Sequence, residues 1–182
     1  DAHDLWTLLA DAVYEADDRE LFHGTIVVTV HCRACGHTHT RDEVFGSLTL
    51  KRGGEGAWTL TSALHGLLRP EPLEDYRCDR CRAVGRCVAR TAIHRMPEVL
   101  VVHVARFAAQ LNGTVHKVND PFTFPIYQCD FRNVTQTGDA PDGNEKGPSP
   151  SHLLYRLHSM VDHMGDIHSG HYVCRRQNAQ GE

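Results

Sequence analysis

With 182 residues, 41% of them hydrophobic and 23% charged, the chain is long enough to bury a core as one domain, or as a domain plus a small module. Its formal charge of −4 leaves no basic footprint for a nucleic acid; no apolar run approaches the length that spans a bilayer, and the start carries no signal-peptide pattern. Seven cysteines, an odd count, point to a reducing intracellular compartment rather than to a disulfide framework.

The first predicted element is a helix. Leu5, Leu8, Leu9, Ala12 and Val13 recur at the i, i+3, i+4, i+7, i+8 spacing of an amphipathic stripe. Asp1 and Asp4 fall in its first turn, where negative charge suits the helix dipole. A helix that starts at residue 1 with no capping segment suggests that an upstream part is missing. Residues 25–30 and 47–51 read as strands with a Cys-x-x-Cys turn between them, and Gly53-Gly54-Glu55-Gly56 is a flexible turn. A short helix is predicted over 61–68, with Leu64, Leu67 and Leu68 on one face and Pro70 ending it.

After a second Cys-x-x-Cys turn, residues 88–94 and 99–104 read as strands broken by Met96-Pro97. The run Val99-Leu100-Val101-Val102 is apolar at every position and predicts a central strand buried on both faces. Residues 133–151, dominated by Gly, Pro, Asp, Asn, Ser and Thr, read as a disordered insertion. The sequon Asn133-Val134-Thr135 inside it would go unused in an intracellular protein. A strand over 155–163, a turn over 165–170 and a partner strand over 171–175 complete a predicted hairpin.

The clearest chemistry lies in the pairs Cys32/Cys35 and Cys78/Cys81. A Cys-x-x-Cys turn holds two thiolates about one ligand span apart, and two such turns complete a tetrahedral shell for structural Zn2+. The 42 residues between Cys35 and Cys78 exceed a zinc-ribbon gap, so the metal would clip two distant strands. Buried or disulfide-bonded cysteines are the alternative. Cys87, Cys129 and Cys174 are then left as small buried apolar groups.

The fourteen histidines are scattered rather than set at one metal spacing. His163, His168 and His171 fit neither a helical i, i+4 pair nor a ligand run. His171 follows Gly170, so its imidazole can stand at a cleft edge with little backbone bulk beside it. There it could serve as the base that activates a thiol or hydroxyl, or simply as a structural residue at a strand end.

These motifs form an ordered series from residue 1 to about residue 176. Asp1-Ala2-His3-Asp4-Leu5 is followed by Phe22-His23-Gly24, then by Leu73, Tyr76, Cys78 and Cys81. Next come Pro97-Glu98-Val99-Leu100 with His103, Arg106 and Phe107, then Lys117, Phe122 and Phe124-Pro125. Tyr155-Arg156-Leu157, His163, Gly165 and Gly170-His171-Tyr172 close it. The series resembles the catalytic domain of the ubiquitin-specific proteases, papain-like cysteine peptidases that remove ubiquitin. Its members are similar, in order, to that family's Asp-Ala-x-Glu-Phe helix start, Phe-x-Gly strand and second zinc turn, then to its Pro-x-x-Leu-x-x-His-x-x-Arg-Phe strand, Lys…Val-x-Phe-Pro segment and histidine box.

The resemblance implies an α+β, papain-like thumb–palm–fingers fold, incomplete at both ends. It implies a zinc-clipped fingers region over about 22–95 and a palm core over about 96–132 and 152–176. His171 matches the catalytic base, while Asp1 and Asp4 match acidic positions that meet the basic tail of ubiquitin. Cys32, Cys35, Cys78 and Cys81 match the zinc site at the fingertips, and Arg106 and Phe107 match structural positions. The implied partners are ubiquitin and ubiquitinated proteins, in a compartment facing the cytosol. The turn before His171 most resembles that of the mitochondrial outer-membrane member.

The departures are as informative. The family's cysteine box, Gly-x-x-Asn-x-Cys-x-x-Asn, lies upstream of the Asp-Ala motif and has no counterpart here. Asp4 stands for Glu and Leu5 for Phe, and Asn178 comes too soon to be the third polar residue that orients the histidine. Cys174 sits on the histidine strand, the wrong element for a nucleophile. These 182 residues are therefore expected to be inactive alone, and a non-catalytic zinc-stabilised ubiquitin-binding module is the alternative.

Overall fold

The computed structural model describes residues 2–15, 19–109, 113–132 and 153–178. Asp1 and the 133–151 segment with its sequon lie outside the described residues. Helix α1 (Ala2–Glu15) carries Asp4 in its first turn. It docks through a face other than the predicted stripe. Trp6 donates its indole N–H to the Gly46 carbonyl at 3.2 Å and meets Phe22 edge-on at 5.2 Å, while Ala10 is buried. His3, one turn before Trp6, stacks on His103 with ring centroids 3.8 Å apart. Leu5, Leu8 and Leu9 are 59%, 70% and 52% exposed, on the opposite side of the cylinder. Hydrophobic count favoured the leucines; a large indole with a polar handle set the docking face instead.

Helix α2 (Arg19–Phe22) leads into β1 (Gly24–Cys32), which pairs antiparallel with β2 (Thr38–Phe45). The sequence does not announce β2, because Thr38, His39, Thr40, Arg41, Asp42 and Glu43 offer no apolar alternation. It is an exposed edge strand with almost nothing to bury. Strand β3 (Leu48–Lys51) contributes Leu48 and Leu50 to the core. Strand β4 (Trp58–Thr59) runs into α3 (Leu60–Leu67), where Thr59 and Ser62 form a capping box with bonds of 3.0 and 2.9 Å. The predicted helix over 61–68 is thus present, with Leu64 buried and Leu68 as its C-cap.

Strand β5 (Glu71–Leu73) and β6 (Cys87–Arg95) complete a four-stranded antiparallel sheet in the order β2-β1-β6-β5. Strand β7 (Val102–Ala105) pairs parallel with β3. Of the strand predicted over 99–104, only the part from Val102 is present; pairing begins there, its residues are half-buried, and Val99 is 43% exposed, so the run 99–102 is not a strand buried on both faces. Val99 donates its N–H to the Leu21 carbonyl at 2.8 Å, so the chain after Pro97 is held by a contact to α2 rather than by a ladder.

Strands β8 (Phe107–Ala109) and β9 (Val115–Lys117) form a hairpin, and β10 (Phe122–Thr123) lies parallel to β4. Strand β11 (Cys129–Asp130) pairs with β12 (Leu154–Tyr155). The strand predicted over 155–163 is split, since Leu157 leaves the ladder to donate its N–H to the Ile126 carbonyl at 2.9 Å. Strands β13 (Ser159–Gly165) and β14 (Gly170–Arg176) form the predicted hairpin. The core joins Leu48, Leu50, Trp58, Leu64, Ile93 and Phe131 between β3, α3 and β6. Among the described residues no helix is long and apolar enough to cross a membrane.

Candidate functional site

The two Cys-x-x-Cys turns are built alike. The Cys32 N–H donates to the His37 carbonyl at 2.8 Å, and its carbonyl accepts from Gly36 at 2.9 Å. At the same offsets, Cys78 donates to Ala83 at 3.0 Å and accepts from Arg82 at 2.9 Å. The residue four places after the first cysteine has positive φ in both, Gly36 at +72° and Arg82 at +63°. Strand pairing brings the turns together, for Cys32 and Cys87 are opposite each other at the end of the β1–β6 ladder.

The result is a cluster in which the four Sγ atoms lie within 4.8 Å of one another. Cys32 and Cys81 are 3.7 Å apart, and Cys35 and Cys78 are 3.8 Å apart. Disulfide sulfurs lie about 2.05 Å apart, so these are thiols. Sulfur–metal bonds of about 2.3 Å in a tetrahedron put neighbouring sulfurs about 3.8 Å apart, the separation of these two pairs. The N–H groups of Ala34 and Cys35 lower the Cys32 thiol to about 6. The N–H of Cys81, followed by that of Arg80, lowers Cys78. Against the Ala83 N–H, the Cys35 side chain and burial raise the Cys81 thiol to about 11, so a metal bound there would displace its proton, thiolates being the form that binds metal. These four cysteines could hold a metal ion, and among the described residues no other cluster of three or more His, Cys, Asp or Glu side chains does so.

The second constellation is the β13–β14 hairpin, whose register pairs His163 with Tyr172, Met164 with His171, and Gly165 with Gly170. Its turn is closed by Asp166, whose Oδ1 accepts from the N–H groups of His168 at 2.7 Å and Ser169 at 2.9 Å. Those two donors hold the Asp166 carboxyl below its usual range. His171 is exposed at the start of β14. Strand alternation puts the side chains of Tyr172 and Cys174 on the face opposite to His171. Cys174 is exposed but points away from the candidate base, whereas Cys87 and Cys129 are buried. Burial raises the Cys129 thiol, which donates to the Pro125 carbonyl at 2.8 Å.

The histidines at 163, 168 and 171 do not converge. His163 packs between Phe107 and Tyr172, with ring centroids at 5.9 and 4.9 Å. Asp4 is exposed in the first turn of α1 and acts on His103, opposing the burial that lowers that histidine. The sequence placed His163 in the histidine-box series but gave no sign of the Phe107 and Tyr172 rings it packs between.

The family model described as "Ubiquitin carboxyl-terminal hydrolase" matches residues 1–182. Ubiquitin carboxyl-terminal hydrolase 21 of Homo sapiens is 32% identical over 167 residues, covering 87% of this chain and 27% of the relative. Ubiquitin carboxyl-terminal hydrolase 8 of Saccharomyces cerevisiae is 24% identical over 197 residues, covering 96% of this chain and 41% of the relative. The fold is similar to a chain in the structure of the SAGA Ubp8/Sgf11/Sus1/Sgf73 DUB module bound to ubiquitin aldehyde. That likeness has a TM-score of 0.77 at 24% identity and covers 100% of this chain and 42% of the other. The chain thus spans well under half the length of these relatives.

Proposed function

Because the chain belongs to the ubiquitin carboxyl-terminal hydrolase family, we propose that it is part of a deubiquitinating thiol protease that cleaves peptide or isopeptide bonds after the last glycine of ubiquitin. One observation carries this reading: a hairpin closed at Gly165 and Gly170 exposes His171 within a chain that matches the family throughout. The names of the relatives, and the ubiquitin aldehyde in the similar structure, support ubiquitin as the partner.

In this reading the His171 imidazole takes the proton of a cysteine thiol. The thiolate attacks the carbonyl carbon of ubiquitin's last glycine, the imidazolium gives its proton to the leaving amine as the C–N bond breaks, and water hydrolyses the thioester. The nucleophile comes from outside residues 1–182. Of the cysteines within them, four converge on one centre, two others are buried, and Cys174 faces away from His171. Asp4, together with Asp1, would take the basic tail of ubiquitin. Residues 22–95 would form the fingers, and residues 96–132 with 152–176 the palm.

We assign Zn2+ to Cys32, Cys35, Cys78 and Cys81, in a structural role, since four thiolates leave no open position for water. Bound there, the ion would crosslink the β1–β2 turn to the segment between β5 and β6. Free thiols in such a centre favour a reducing compartment facing the cytosol. An address at the mitochondrial outer membrane rests only on the resemblance of the turn before His171 to that of the outer-membrane member.

The test is to incubate the full-length protein with ubiquitin bearing a thiol-reactive C-terminus and map the adduct. Labelling of a cysteine outside residues 1–182, abolished turnover in His171→Ala and retained ubiquitin binding are expected. An adduct on one of the seven cysteines would overturn the assignment of the nucleophile. The absence of a thiol facing His171 among the described residues favours a second reading, a non-catalytic ubiquitin-binding module. Ubiquitin binding with no adduct at all would select it.

A further inference from the structure

Lys117 joins the β8–β9 hairpin to the hairpin that carries His171. It ends β9, opposite Phe107 in the β8–β9 hairpin, and its side chain reaches the other hairpin 46 residues on. Nζ lies 3.1 Å from His163 Nδ1, 3.0 Å from the His163 carbonyl and 2.7 Å from the Gly165 carbonyl. An ammonium has three protons to donate and accepts none. The three acceptors therefore use it completely, and His163 Nδ1 is an acceptor whose ring proton sits on Nε2.

The imidazole so held lies against the backbone just before His171. A Cβ at position 170 would stand 2.4 Å from His163 Nε2 and 2.3 Å from the Met164 carbonyl. Glycine is required there because the ring occupies the space a side chain would need. The other backbone group that Lys117 holds, Gly165, is the register partner of Gly170 and has φ +125°. One ammonium thus fixes the ring beneath residue 170 and the strand end across from it. These two constraints set where the backbone delivers His171.

We propose that Lys117 is a positioning residue for His171, acting through His163 and the 165–170 turn; the proposal rests on the reading of His171 as the catalytic base. The alternatives are a lysine that contacts ubiquitin or one that only adds stability, and each predicts different kinetics.

The experiment uses the full-length protein and its variants Lys117→Met, Lys117→Arg and Gly170→Ala. Steady-state hydrolysis of a fluorogenic ubiquitin C-terminal amide gives kcat and KM, and NMR of the His171 imidazole reports position without turnover. A displacement of the base by about 1 Å is worth about 100-fold in rate. Lys117→Met is therefore expected to lower kcat by roughly 10- to 100-fold, with KM within about two-fold. Lys117→Arg, whose planar fork cannot meet three convergent acceptors, is expected to recover little of it. Gly170→Ala should fall in the same direction, and all three variants should shift the His171 resonances.

Unchanged kcat in Lys117→Met, or a loss confined to KM, would overturn the proposal. So would near-complete activity in Lys117→Arg. A wild-type protein without turnover would sink the function reading alone; His171 resonances unmoved in Lys117→Arg would then overturn the positioning role on their own.

Discussion

Gly36→Ala and Arg82→Gly are opposite perturbations at equivalent positions of two similar turns. Both residues follow the first cysteine of their turn by four, donate to its carbonyl, and hold φ of +72° and +63°. Nothing lies within 4 Å of a Cβ built at Gly36, so an added methyl group meets no neighbour and only the backbone conformation is charged. A non-glycine residue in the left-handed region is disfavoured by about 1–2 kcal/mol. Glycine, in turn, loses more freedom on folding, by about 0.5–1 kcal/mol. The differences leave Gly36→Ala destabilising and Arg82→Gly stabilising, each by about 0.5–1 kcal/mol. For a chain of this size that amounts to about 1–4 °C in Tm, in opposite directions. Thermal unfolding of the two variants and the wild type, with zinc content held equal, measures both. Shifts of the same sign would refute the reasoning, because the two turns would then not share a backbone requirement.

Cys78→Ser should abolish stoichiometric zinc binding and lower the melting temperature, because Cys78 is buried within the four-thiol cluster; unchanged metal content and melting would reject the site. Leu50→Ala, at a core residue that is 0% exposed, should cost about 2–5 kcal/mol, read as a lower urea midpoint at unchanged slope. The Asp166 carboxyl is depressed by the His168 and Ser169 N–H groups. Its stabilisation of the turn is therefore fully present above the ordinary carboxylate pKa of about 4 and lost as pH falls through the lower folded value. In an acid titration followed by NMR, the His168 and Ser169 amides should move together below about pH 4 in the wild type and not in Asp166→Asn. Amides that titrate alike in both would show that another group controls the turn.

Features closed by interactions only a few residues long were legible before any fold was known. Each Cys-x-x-Cys turn satisfies its first cysteine with partners four and five residues on. The α3 capping box spans three residues, and Asp166 closes the 165–170 turn with the next residues but one and two. For these, residue type and spacing are nearly the whole of the physics, which is why the two zinc turns, the short helix near 61–68 and the 165–170 turn could be predicted. Tertiary structure decided the rest, where the free energy comes from partners distant in the chain. The β1–β6 register, not the spacing of 42 residues, brings the two thiol pairs within 4.8 Å. Strand β2 has no apolar alternation and exists because β1 offers it a ladder. Helix α1 docks by Trp6 and Ala10 because Gly46 and Phe22 are there to meet them. The apolar run at 99–102 could not show that the neighbouring strand pairs only from Val102. Nor could any pattern around Lys117 foretell that its ammonium would be saturated by a histidine and a glycine 46 and 48 residues away, since long-range contacts of that kind are chosen by the packed chain and not by its local code.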